Sequence, residues 1–124
     1  MGILQKLFGK KPKNTFKLSA EEIKPILVNQ GGCFATNMIT IDGCPVGYMY
    51  REQPDNKEDS GWRFFSGTES QEYVDDSTNT QIYDINTIAN YDSDIVPYTD
   101  LPAGSELERI PNSKEFKLIQ NQSS

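Results

Sequence analysis

The chain has 124 residues and no histidine, only two cysteines and one tryptophan. Without histidine, neither a Ser-His-Asp nor a Cys-His arrangement can be assembled, and the commonest general base near neutral pH is missing. With Cys33 and Cys44 as the only thiols, a closed nitrogen and sulfur shell for zinc is out of reach as well. Uncharged apolar runs stay far below the ~20 residues that a membrane-spanning helix needs. The opening MGILQKLFGKKPK has no apolar h-region, because Lys6 interrupts Ile3, Leu4, Leu7 and Phe8. A cytoplasmic location is therefore expected, with Cys33 and Cys44 reduced. Phosphate-cradling loops, dinucleotide fingerprints and nucleophile elbows are missing too, since GGCFAT and GTES match none of their spacings.

Positive charge is scarce and unevenly placed. Twelve basic side chains stand against 18 acidic ones, and five of the twelve are lysines within residues 1–17, which hold no acid. The remaining residues carry a net charge of −11, and between positions 52 and 108 fourteen acids face only Lys57 and Arg63. Such a field repels nucleic acid and attracts cationic partners. Direct nucleic-acid binding is not expected of this domain.

The residues that are present predict an α+β fold, with a mainly antiparallel β-sheet and two short helices at about 19–29 and 84–91. Residues 1–14 read as a flexible basic tail broken by Gly2, Gly9 and Pro12, without the serine or threonine at position 6 that N-myristoylation wants, so membrane contact is not expected of it. Residues 15–120 read as one domain. Ser19 and Glu22 form a capping-box pattern, although Pro25 must shorten or kink the helix that follows. CFATNMITIDG and CPVGYMYRE read as two strands around an Asp42-Gly43 hairpin turn. Asp84 is the expected N-cap of the second helix, and SELERI with KEFKLIQ predicts a closing hairpin.

Residues 48–67, YMYREQPDNKEDSGWRFFSG, are the densest mixture of charge and aromatics. A calcium loop fails there, because Lys57 stands where an oxygen ligand is needed and Ser60 where glycine is needed. Paired carboxylates such as Asp75-Asp76 suit a solvated turn better than acid and base chemistry, so no enzyme and no cofactor are expected. Pairing of the two ends as strands gathers Tyr48, Tyr50, Trp62 and Phe64 on one face. Met49, Phe65, Arg51 and Arg63 then fall on the other, with both arginines held in structural ion pairs by carboxylates. Gln53–Ser60 becomes an exposed excursion, free to touch a partner.

Across residues 31–110, VGYMYRE, DSGWRFFSG, YDINTIANYD and GSELER appear in an order and spacing that resembles the bacterial domain family of unknown function numbered two-one-eight-five. That family is also grouped as immunity protein thirty-three of polymorphic toxin systems. The resemblance implies a cytoplasmic protein that binds and neutralises a toxin domain, with no catalytic residue to carry over. Complementary charge fits that role. The expected partner contacts are Asp55, Glu58, Asp59, Glu72, Asp75 and Asp76, with Tyr73 and Tyr91 as anchors. The alternative is a stand-alone regulatory or small-ligand-binding domain, with a pocket between the aromatic face and the 84–91 helix.

Overall fold

The middle and end of the chain form strands because β-branched and aromatic residues alternate there with polar ones, and alternation sorts each strand into two faces. The structure, a computed structural model, describes residues 16–121; the expected tail over 1–14 lies outside the described residues. Six strands form one sheet: β1 (Gly32–Thr36), β2 (Tyr48–Arg51), β3 (Asp59–Phe65), β4 (Thr80–Asp84), β5 (Ser105–Arg109) and β6 (Phe116–Asn121). Their spatial order is β4-β1-β3-β2-β5-β6. Every neighbouring pair is antiparallel except β1 and β3. Among the described residues, three short α-helices accompany them: α1 (Asn37–Thr40), α2 (Gln71–Asp75) and α3 (Ile85–Tyr91). This is the expected α+β architecture with a mainly antiparallel sheet.

One face of the sheet carries the core. Cys33 and Ala35 of β1, Met49 of β2, Trp62 and Phe64 of β3 and Leu107 of β5 cluster with Ile39 of α1, Ile85, Ile88 and Ala89 of α3, and Ile95. Each of the larger side chains among them, Ile, Leu, Met and Phe, contributes about 1.5–3 kcal/mol when fully withdrawn from water. Trp62 also donates its indole N–H to the Thr99 carbonyl at 3.0 Å, so its one polar atom is satisfied inside the core. Cys33 and Cys44 are free thiols, and burial pushes the Cys33 thiol up, away from its reactive thiolate form.

Asp84 caps α3 as expected, accepting from the Asn86 N–H at 2.8 Å. The helix expected over 19–29 is instead a single 3-10 turn, Ala20–Glu22. The Ser19 N–H does donate to the Glu22 carboxylate at 2.8 Å, but Pro25 cannot supply the next helical hydrogen bond. The backbone beyond is taken up from outside: Asn90 accepts from the Lys24 N–H at 2.9 Å, and Asn86 from the Ile26 and Leu27 N–H groups at 2.6 and 2.7 Å. Two asparagines one turn apart on α3 thus hold the segment that the proline keeps from being a helix.

The Asp42-Gly43 hairpin is also overturned. β1 ends at Thr36, and β1 and β2 are not neighbours in the sheet. Gly43 takes a positive φ, +78°, but it follows α1, with its N–H on the Ile39 carbonyl at 3.2 Å. Left-handed backbone serves a helix end as readily as a hairpin, which makes the dipeptide ambiguous. The closing hairpin of β5 and β6 forms as expected, with Leu107 opposite Leu118 and Arg109 opposite Phe116.

Candidate functional site

The register of β2 on β3 decides what each face displays. Tyr48 lies opposite Phe65, Met49 opposite Phe64, Tyr50 opposite Arg63 and Arg51 opposite Trp62. The expected faces are therefore exchanged for β3: Trp62 and Phe64 join Met49 in the core, while Phe65 and Arg63 join the tyrosines. A one-residue change of register moves every side chain of a strand to the opposite face, and alternation within each strand does not fix it.

The second face carries Phe34 of β1, Arg63 and Phe65 of β3, Tyr48 and Tyr50 of β2, and Glu106 and Glu108 of β5. None of these belongs to the core cluster. Tyr50 stacks on Phe65 with centroids 5.9 Å apart, and Tyr48 leans on both at 5.9 and 5.6 Å. Ile82 of β4 is 73% exposed on the same side, opposite Phe34. Apolar and aromatic surface of this kind, on a sheet face outside the core, is one of the marks of an interaction surface.

Arg63 is the hinge of this face. Its guanidinium lies 4.3 Å over the Phe34 ring, takes Glu52 at 2.6 Å and grips both oxygens of Asp59 at 2.9 Å. Only 2% of Arg63 is exposed, so the two carboxylates are what make its burial tolerable. The hydrogen bonds from Arg63, working against burial, hold the Asp59 carboxyl far below the usual carboxylate range. Asp55 stands 4.0 Å from the same guanidinium, so the cation in this loop is the protein's own arginine. Among the described residues, no group of three or more candidate ligands is arranged to hold a metal ion.

Arg51 departs from the expected ion pair. Its side chain turns to the core face, where the guanidinium lies 5.7 Å from the Trp62 ring and donates to the Ser60 and Leu101 carbonyls at 2.9 and 2.8 Å. Backbone oxygens hold it, where a carboxylate was expected.

The expected partner contacts fall into separate places. Asp55, Glu58 and Asp59 sit at the start of β3, beside Asp84, around a cavity of about 840 Å³ that reaches Phe34 and Ile82. Asp59 is taken up by Arg63, whereas Asp55 and Glu58 are exposed. Glu72, Asp75 and Asp76 are exposed on and just after α2, beyond the other end of β3, with Tyr73 half-buried among them. The rest of β3 after Asp59 separates the two groups, roughly 20 Å of extended chain. Tyr91 points inward instead, packing on the core and accepting from the Leu18 N–H at 3.1 Å.

Two features went unread in the sequence. Glu69 closes the turn after β3, accepting from the Thr36 hydroxyl at 2.5 Å and from the Ser66 and Gly67 N–H groups at 2.8 and 3.0 Å. Burial opposes its charge, but these donors outweigh it and keep the carboxyl below its ordinary range. The other is a cleft of about 580 Å³ beside Tyr48 and Tyr50, closed on its far side by Gly104 and Glu106. Tyr48 donates its hydroxyl to Glu106, and burial together with that hydrogen bond pushes the phenol up, so it stays protonated. Only the tertiary structure brings residues 104–106 beside 48–52; no local signal announces it.

The pocket expected between the aromatic face and the second helix is not where the aromatics are open. α3 lies on the core side, where Ile85, Ile88 and Ala89 belong to the packed cluster. No helix among the described residues is long and apolar enough to cross a membrane. Comparison with known families matches residues 33–120 to the model described as the immunity protein Imm33 domain. Comparisons with curated proteins and with solved structures find no match.

Proposed function

The chain belongs to the Imm33 immunity protein family, and from that premise we propose that it is a non-enzymatic, cytoplasmic binding protein that neutralises a bacterial toxin domain by covering it. The family match carries this reading. What supports it physically is the sheet face of Tyr48, Tyr50 and Phe65, which is aromatic, outside the core and bordered by carboxylates.

Size argues for the loops as well as the sheet. Six strands ~4.8 Å apart, about five residues long, make a face of roughly 25 by 17 Å, on the order of 400 Å². A standard interface takes about 800 Å² from each partner. Asp55 and Glu58, next to that face, are therefore proposed as the charged rim, with Glu72, Asp75 and Asp76 in contact only if the toxin spans the whole length of β3. Complementary charge there speeds encounter and fixes orientation more than it adds affinity.

The test is co-purification with the product of a neighbouring reading frame and rescue of cells that express it. A protein that neither binds nor protects against any neighbour's product ends this reading. A second reading, a stand-alone small-ligand-binding domain, draws on the 580 Å³ cleft, whose volume lies within the ~300–1,000 Å³ of ligand sites. A thermal-shift screen in which one metabolite raises the melting temperature by several degrees, with no protection in cells, selects it.

A further inference from the structure

The protein seats its own guanidinium groups in one recurring way. Arg63 lies 4.3 Å over Phe34 between Glu52 and Asp59, and Arg109 lies 4.6 Å over Phe116 with Asp92 at 2.5 Å and Asp94 at 2.9 Å. In each case an aromatic ring supplies the floor and two carboxylates supply the walls. Arginine suits this setting because its flat, weakly hydrated fork stacks on a ring and meets carboxylates through several N–H groups at once.

A third set of the same composition stands on the open face without a cation of its own. Tyr48 and Tyr50 floor the 580 Å³ cleft, and Glu52 and Glu106 wall it. Among the described residues, no guanidinium lies over either tyrosine. Glu52 is half-exposed and gives Arg63 only one of its oxygens, and among the described side chains Glu106 receives only the Tyr48 hydroxyl. Arg51 also borders the cleft, but its charged end is spent on the Ser60 and Leu101 carbonyls. The cleft thus presents two rings and two partly used carboxylates to the outside, within a segment that is net acidic.

We infer that this cleft takes an arginine side chain from a protein partner, its stem against Tyr48 and Tyr50 and its guanidinium between Glu52 and Glu106. The inference rests on the binding-protein reading and names the chemistry of its central contact.

The experiment titrates the full chain with a hexa-arginine peptide and follows backbone amide shifts by NMR. Shifts should centre on Tyr48, Tyr50, Glu52, Gly104 and Glu106, and hexa-lysine should bind several-fold more weakly, since it lacks the flat fork. Gln53→Lys, at the exposed mouth of the cleft, should weaken hexa-arginine about tenfold, and Glu106→Gln by several-fold. Should Glu106→Gln lower the melting temperature, Gln53→Lys still decides, because it touches neither ion-pair network. Absence of binding, equal binding by Gln53→Lys, or shifts centred on Glu72 to Asp76 overturns the inference. Failure to protect cells from any neighbouring product, with the peptide still seated at Tyr48 and Tyr50, overturns the toxin reading and leaves the arginine site standing.

Discussion

The two faces of the sheet are built from the same two strands with opposite logic. On one, Met49, Trp62 and Phe64 are sealed in the core, and Arg51 is held by backbone carbonyls. On the other, Tyr48, Tyr50 and Phe65 lean on one another outside the core, and Arg63 is held by carboxylates. The difference teaches that aromatic content does not mark the core. What marks it is which aromatics have helices packed over them.

The sharpest break of this comparison is a matched pair of truncations. Phe64→Ala should cost about 3–5 kcal/mol, through lost burial and a cavity, in urea unfolding. Phe65→Ala, one residue along and on the open face, should cost about 1 kcal/mol. Equal losses would mean that the second face is as fully packed as the first.

Next in size is the removal of Arg63. Arg63→Met leaves Glu52 and Asp59 facing each other without their cation, and should destabilise by about 3 kcal/mol. Adding Glu52→Gln and Asp59→Asn to it should recover most of that loss, since the uncompensated charges then go too. If the triple variant is no better than the single one, the stacking of the guanidinium on Phe34 matters more than its ion pairs.

Acid sharpens the same point. Asp59 has a lower pKa folded than unfolded, so the stability it lends is complete above its unfolded value of about 4 and is lost as pH falls below that. Asp59→Asn should therefore be less stable than the parent at pH 7, and the gap should narrow steadily as unfolding is measured toward pH 2. A gap that does not change with pH would place the effect elsewhere. The smallest expected change is Tyr48→Phe, which loses one hydrogen bond to Glu106 and should cost about 1 kcal/mol or less by thermal denaturation. It should leave the ring available to a partner.

Much of this fold is legible residue by residue. Asp84 caps the helix it announced because a side-chain oxygen at that position meets a free N–H wherever the chain goes next. The strands at 48–51, 59–65, 105–109 and 116–121 follow from local alternation and β propensity. Three things could not be read that way. Asp42-Gly43 announced a turn but not the element that would use it. Pro25 excluded a long helix but did not reveal that Asn86 and Asn90 would accept the backbone instead. Residues 48–52 and 62–65 alternated, yet the pairing of Tyr48 with Phe65 depends on where two strands meet. The candidate site was legible to the same degree. The acids were visible, but not that Asp59 is spent on Arg63, that Tyr91 faces inward, or that Glu106 arrives beside Tyr48.

By itself the sequence determined that no histidine-based triad can form, the class of fold, the family and the N-cap of its longest described helix. Each of these depends on residue identity and short-range backbone preference alone. The tertiary structure decided which ring is core and which is surface, which arginine meets a carboxylate and which acids share a site. Those are set by register and by contacts between residues far apart in the chain, where a shift of one position exchanges inside for outside.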